Sequence, residues 1–310
     1  MCRVISKRRS INGILLLDKP KGVTSNQALQ IIKQLFSANK VGHTGSLDPL
    51  AIGLLPLCFG EATKFSQFLL NADKTYQVKA RLGIKTNTGD AEGEVIETRD
   101  IPNYTPDQLE SVLSLFRGLI SQIPPMFSAL KHNGQPLYKL ARQGLVVARN
   151  PRTATIHRLC LLKSSKNLLN LEIKCSKGTY IRTLVEDIGE ALGCGAFVQD
   201  LRRIGVAYYD AEQMISLEEL KTLSQSERDK KLLSLDSLLI EWPVLRVTQA
   251  AAYYLYRGQA ILLPNLPKQG LLRLLLQESD QFIGVGEILE DGRVAPRRLV
   301  NFNAVLTDKY

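Results

Sequence analysis

Cysteine is scarce and scattered in this 310-residue chain: Cys2, Cys58, Cys160, Cys175 and Cys194, with no C-x-x-C among them. That excludes a disulfide framework and a cysteine-ligated zinc site, and it suits reduced thiols. The three histidines, His43, His132 and His157, lie far apart, so spacing draws no metal constellation and no bound metal is expected. No apolar run approaches the roughly 18 residues of a membrane helix. Ile14 to Leu17 is too short for a signal-peptide core, which points to the cytoplasm. Neither a P-loop nor a complete G-x-G-x-x-G is present, and no cofactor is expected.

The most informative absence is of negative charge. Between Glu110 and Glu172 there is no acidic residue across 61 positions, while Arg117, Lys131, Lys139, Arg142, Arg149, Arg152, Arg158, Lys163 and Lys166 supply nine positive charges. Residues 1 to 47 hold eight basic residues against the single acid Asp18, whereas 207 to 243 carry eight acids against four bases. The net charge of +10 is therefore segregated, which favours a polyanionic partner, nucleic acid, over a merely soluble basic surface. A hydrophobic content of 45% is ample for a core, and the length predicts one large domain plus a smaller one.

The stretch Gly42-His43-Thr44-Gly45-Ser46-Leu47-Asp48-Pro49-Leu50-Ala51 is the candidate for chemistry. Two glycines and a proline impose a special backbone path on a loop holding a carboxylate, an imidazole and two hydroxyls. It feeds directly into the apolar run Leu54 to Leu57, which is expected to be buried. By spacing alone, an ordinary Asp-Pro turn with Asp48 bonding its own backbone accounts for the loop equally well.

Around it the pattern predicts an α+β chain. Residues 11 to 23 read as a short buried strand ending in a Pro/Gly turn, after which Thr24 and Ser25 cap a helix with apolar positions Ala28, Ile31, Ile32 and Leu35. Tyr76 to Leu82 alternates as a half-buried strand, with Tyr76 either a core aromatic or a ring beside Asp48. Thr105-Pro106-Asp107-Gln108 is a capping box opening a helix from 106 to about 117. Residues 124 to 152 begin with two prolines and interleave Lys131, Lys139 and Arg142 with Phe127, His132 and Tyr138. Cations for phosphates and rings for splayed bases make this an RNA-gripping insertion in preference to an irregular loop.

Leu169 to Cys175 is a second alternating strand, and Ile181, Leu184, Val185, Ile188 and Leu192 trace the helix after it. Arg182 then sits in that helix's first turn, where the helix dipole offers a cation nothing; flanking apolar residues imply burial, and a buried arginine needs a carboxylate. Val198 to Val206 continues as a strand, and Ser216-Leu217-Glu218-Glu219 is a second capping box. Beyond Trp242-Pro243 come a helical stretch, 249 to 256, and strands at 271 to 277, 282 to 289 and 293 to 300, the last two joined by an Asp291-Gly292 hairpin signal.

Four blocks together resemble a known family. They are Ile14-Leu15-Leu16-Leu17-Asp18-Lys19-Pro20-Lys21-Gly22-Val23-Thr24-Ser25, the loop 42 to 51, Tyr76 with its strand, and Lys177-Gly178-Thr179-Tyr180-Ile181-Arg182. In order, they are similar to the bacterial TruB-type pseudouridine synthases over residues 11 to 206. From about 244 the chain resembles a PUA RNA-binding domain ending in Gly292-Arg293-Val294-Ala295-Pro296-Arg297-Arg298. Ser46 and Ile52 depart from the residues the family often has in the loop lining.

The resemblance implies a mixed, mainly antiparallel sheet with flanking helices and a small C-terminal β-barrel. It implies a basic tail at 1–10, a catalytic domain at 11–243 and a PUA-like domain at 244–310. The implied activity is isomerisation of uridine 55 in the tRNA T-arm to pseudouridine, without a cofactor. Asp48 would be the essential carboxylate, Arg182 its ion-pair partner, and Tyr76 a ring stacked on uracil that takes the C5 proton, a demanding task at the usual tyrosine pKa. Leu201 would wall the base, His43 would fill the gap left when the uridine flips, and Lys19, Asp90 and Tyr180 would bind substrate. A monomer is expected, since tRNA would cover the basic face. A non-catalytic RNA chaperone is the competing reading, and a base-releasing glycosylase ranks below it.

Overall fold

In a computed structural model that describes residues 8–263 and 270–301, the described residues form two large sheets and two two-stranded ones. Part of the expected basic tail, residues 1–7, lies outside the described residues, as do 264–269 and 302–310. In chain order the first half runs β1 (Gly13–Lys19), α1 (Ser25–Leu35), β2 (Val41–His43), β3 (Ile52–Phe59), α2 (Ser66–Asn71), β4 (Lys74–Leu82), β5 (Ile84–Thr86), β6 (Val95–Thr98), α3 (Pro106–Ser114) and β7 (Gly118–Gln122). The insertion carries β8 (Lys131–His132), β9 (Gln135–Pro136) and α4 (Leu137–Arg142). Next come β10 (Arg152–Ser165), β11 (Leu168–Cys175), α5 (Ile181–Ala191), β12 (Ala196–Val206), β13 (Tyr209–Asp210), β14 (Ile215–Ser216), α6 (Leu217–Thr222) and α7 (Gln225–Lys230). The remainder is β15 (Val244–Val247), α8 (Gln249–Tyr256), β16 (Ile261–Leu262), β17 (Gly270–Leu276), β18 (Phe282–Ile288) and β19 (Arg293–Leu299).

The large sheet has the order β14-β1-β3-β12-β4-β11-β10-β7, with β2 on β3 and β13 on β12. Its pairs are antiparallel except β1–β14 and β3–β12, so the sheet is mixed. β1 is apolar from Ile14 to Leu17 because both its faces are covered. Leu15 and Leu17 join the core under α1 and α5, while Ile14 and Leu16 pack with Leu54, Phe65 and the C-terminal residues Leu274 and Phe282. β4 is covered on one face only, so Val78, Ala80 and Leu82 are buried while Gln77 and Lys79 are exposed. The C-terminal sheet, β15-β17-β18-β19-β16, is a curled half-barrel, the small β unit expected there. It meets the large sheet through Phe65 against Phe282, with ring centroids 5.3 Å apart, and through Lys64 Nζ donating to the Leu299 carbonyl at 3.1 Å.

Thr105 closes the reciprocal capping box expected of it, and Thr24 caps α1 with a box completed by Gln27, while Ser25, read with it as a cap, is the helix's first residue. Two details differ. α3 ends at Ser114 rather than near 117, its last turn tightening into bonds from Phe116 to Leu113 and from Arg117 to Ser114. Ser216 caps α6 through the Glu219 N–H, but the complete box belongs to Ser224 and Glu227 one helix later.

Candidate active site

The loop between β2 and β3 is held from several directions. Ser25, the first residue of α1, accepts from the Leu47 N–H at 2.7 Å and donates to the Leu47 carbonyl at 3.0 Å. Gly22 N–H donates to the Pro49 carbonyl at 2.8 Å. Asp48 does begin a turn, because the Ala51 N–H bonds its carbonyl at 3.1 Å. The turn and the chemistry do not compete: backbone atoms make the turn, and the carboxylate points away to meet Arg182.

Arg182 Nε stands 3.0 Å from Asp48 Oδ2. The arginine side chain is 8% exposed and the aspartate 44%, so a buried cation holds a carboxylate at the mouth of a cleft. Packing around that mouth pushes the Asp48 pKa up, Arg182 pulls it back, the neighbouring Asp90 raises it, and Lys19 lowers it. The other nitrogens of Arg182 donate to the carbonyls of Thr88 at 2.8 Å and Phe127 at 2.7 Å, and Nη1 lies 3.7 Å from Asp90 Oδ2. One guanidinium therefore ties the Asp48 loop to the 86–93 loop and to the root of the basic insertion.

A cavity of about 190 Å³ opens beside Asp48, lined by Tyr76, Leu201, Ser128, Tyr180, Ile181 and Arg182 among others. Tyr76 comes from β4, and Leu201 from β12 lies across the ladder from Val78. Tyr180 is fixed by Gln122, whose side chain accepts from its N–H at 3.0 Å and donates to its carbonyl at 3.2 Å. A larger groove of about 420 Å³ lies along Gln77, Lys79 and Arg202, but its carboxylate, Asp200, is already flanked by Lys21 and Lys79. The smaller cavity brings together Asp48, Tyr76, Leu201 and Arg182.

The remaining expected residues fall in three places. His43 ends β2, half-buried, with a buried Nδ1 that lacks a hydrogen-bond partner; burial and Arg203 lower its pKa, which keeps the ring neutral. Lys19 is 0% exposed, and its ammonium donates to the carbonyls of Pro20 at 2.9 Å and Val23 at 2.7 Å instead of facing solvent. Asp90 is likewise buried, its Oδ1 accepting from Thr88 Oγ1 at 2.7 Å and from the Glu92 N–H at 3.1 Å. Both are thus set inside the protein, Lys19 bracing the turn before α1 and Asp90 behind Arg182.

Sequence reasoning passed over Arg203 and Glu92. Arg203, 1% exposed, donates to the carbonyls of Leu54 at 2.6 Å and Gly45 at 3.2 Å. Desolvation raises the Glu92 pKa, and the nearby charges of Asp90 and Asp48 raise it further. Arg203 shares the inward face of β12 with Leu201, but nothing in the local sequence separates it from Arg202.

Comparison with known proteins gives the chain's family and fold. Residues 33–181 match the model of the TruB family pseudouridylate synthase N-terminal domain, 182–241 the tRNA pseudouridylate synthase B C-terminal domain, and 243–300 the pseudouridine synthase II TruB C-terminal model. A curated protein of Coxiella burnetii named tRNA pseudouridine synthase B is 55% identical over 297 residues, covering 94% of this chain and 96% of its own. One of Pseudomonas putida with the same name is 54% identical over 304 residues, covering 97% and 99%. In fold, the chain resembles a solved Cbf5-Nop10-Gar1 complex (TM-score 0.71, 23% identity, covering 96% of this chain and 87% of that one).

Proposed function

The chain belongs to the TruB family of pseudouridylate synthases and converts uridine in tRNA to pseudouridine; we propose that it does so at position 55 of the T-arm, with Asp48 as the essential carboxylate. The observation that carries this reading is the Asp48–Arg182 pair at the mouth of a cavity that also presents Tyr76 and Leu201.

The reaction releases uracil from its ribose, turns it and rejoins it through C5, with no redox change. Asp48 faces the electron-poor sugar as the bond to N1 breaks, and Arg182 keeps that carboxylate ionised and aimed. Leu201 and the Tyr76 ring sandwich the base so that it turns without escaping, and Tyr76 accepts the C5 proton. Flipping the uridine costs a few kcal/mol, and the neutral ring of His43, stacking in the vacated place, offsets about 1 to 3 kcal/mol of it.

Residues 11–243 form the catalytic unit, with the insertion at 124–152 gripping RNA, and 244–310 form a PUA-like RNA-binding unit. Tyr180 completes the substrate contacts, and Lys19 and Asp90 contribute from within. The enzyme works as a monomer in the cytoplasm, where its substrate is made. The test is to incubate the protein with an unmodified tRNA transcript and with an isolated T-arm stem-loop, then map carbodiimide-reactive pseudouridine. A single product at position 55 in both is expected; product elsewhere, or none in the stem-loop, overturns the assignment to the T-arm.

A further inference from the structure

β12 carries two adjacent arginines in opposite surroundings. Arg202 meets Asp18 at 2.7 Å on the less enclosed face of the sheet. Arg203 turns inward, and among the described residues no carboxylate lies within ion-pair distance of it; it donates to the carbonyls of Leu54 and Gly45. A buried guanidinium without a carboxylate is costly, so its charge calls for a partner that benefits from it.

That partner is Tyr76. The two residues lie directly across the β4–β12 ladder, and the guanidinium reaches the phenolic hydroxyl. Arginine has donors only. The Tyr76 oxygen must therefore accept, which leaves the phenol's own proton free to point elsewhere and any negative charge on that oxygen beside a cation. Burial opposes ionisation of the phenol, as do Cys175 on β11 and Asp48 in the loop, while Tyr180 and Arg182 line the same cavity. Arg203, directly across the ladder, favours it.

We propose that Arg203 is a positioning residue for the final proton transfer: it holds the Tyr76 oxygen as an acceptor, stabilises the phenolate and ties it to the catalytic loop at Gly45. This rests on the reading of Asp48 and Tyr76 given above. When uracil has rejoined the sugar through C5, that carbon still bears its hydrogen. The C5–H bond breaks, its electron pair restores the C5=C6 double bond, and the proton passes to the phenolate oxygen, which becomes phenol. N1 takes one proton from water, and the phenol returns one to water before the next turnover, so protons balance.

The test compares wild type, Arg203→Met, Arg203→Lys and Tyr76→Phe in single turnovers on tRNA carrying uridine or 5-deuterouridine, across pH. For Arg203→Met the rate falls about 10²-fold, its rising pH limb moves up by about one unit, and deuterium at C5 slows it about twofold or more, because proton removal becomes limiting. Arg203→Lys, which keeps the charge, falls between. A lower rate with an unmoved pH limb and no new isotope effect would mean that Arg203 only supports the loop, and would overturn the proposal. If Arg203→Met does not fold, Arg203→Lys carries the same two readouts. Full activity in Tyr76→Phe would instead sink the underlying reading of the site.

Discussion

Arg182 Nε lies 3.0 Å from Asp48 Oδ2, and the same guanidinium bonds the carbonyls of Thr88 and Phe127. A planar fork is needed to serve the carboxylate and two carbonyls at once. A lysine presents a single point charge and cannot span the three. Arg182→Lys is expected to lower the single-turnover rate by about 10²- to 10³-fold, as losses of a preorganised electrostatic group do, while tRNA affinity changes little. Filter binding and single-turnover assays separate the two quantities.

Lys19 gives the activity a basic limb. Burial pulls its pKa down from 10.5 to about 8 even though Asp48 and Glu92 favour its charge. Above that pH it loses the charge that helps keep Asp48 ionised, so activity is expected to fall. Stability moves the other way. A lysine whose folded pKa lies below its unfolded value leaves the unfolded chain holding more protons between about 8 and 10.5, so folding stability rises with pH through that window. Lys74, also pulled down to about 8, adds to the same trend. The check is a pH profile of rate beside one of denaturant midpoint; Lys19→Met should lack the basic limb in rate.

His43 should work as a ring and not as a charge, since burial and Arg203 hold its pKa below the usual value. His43→Ala is expected to reduce kcat/KM about tenfold, the worth of one stacking contact, and His43→Phe to recover most of it. Neither variant should change the pH dependence of tRNA binding above pH 7.

Gly53 on β3 has φ +100°, and a Cβ there would run into the carbonyl of Arg203 on β12. Gly53→Ala is expected to destabilise the fold by about 2–4 kcal/mol through strained backbone and a forced strand separation. Urea unfolding measures the loss, and any surviving activity should also fall because the displaced strand carries Leu201 and Arg203.

Much of this architecture can be read from the chain because local signals agree with it. Thr24 with Gln27 and Thr105 with Gln108 mark helix starts, and β4 alternates cleanly because one of its faces is left without a cover. β10, a 14-residue strand, gives no such signal. Register irregularities between Ile156 and Arg158 and between Leu161 and Lys163 interrupt its period, and much of its exposed side is charged or polar. The Asp48–Arg182 pair was within reach because a cation in the first turn of a buried helix needs an acid. Arg203 was not, because nothing local distinguishes it from Arg202; strand parity and the irregularity between Val198 and Asp200 decide which of them turns inward.

The most direct test of the account is Asp48→Asn. The substitution keeps the shape of the side chain and removes its charge. Because the substitution takes the carboxylate away from Arg182, whose side chain is 8% exposed, some loss of stability is expected, and a melting curve at pH 7 establishes that the variant is folded. The measurement is single-turnover pseudouridine formation on unmodified tRNA, with binding followed in parallel. The account predicts binding within about threefold of wild type and a rate lowered by at least about 10⁴-fold, the loss expected of an essential catalytic group. Undiminished pseudouridine formation by a folded, tRNA-binding Asp48→Asn protein would contradict it.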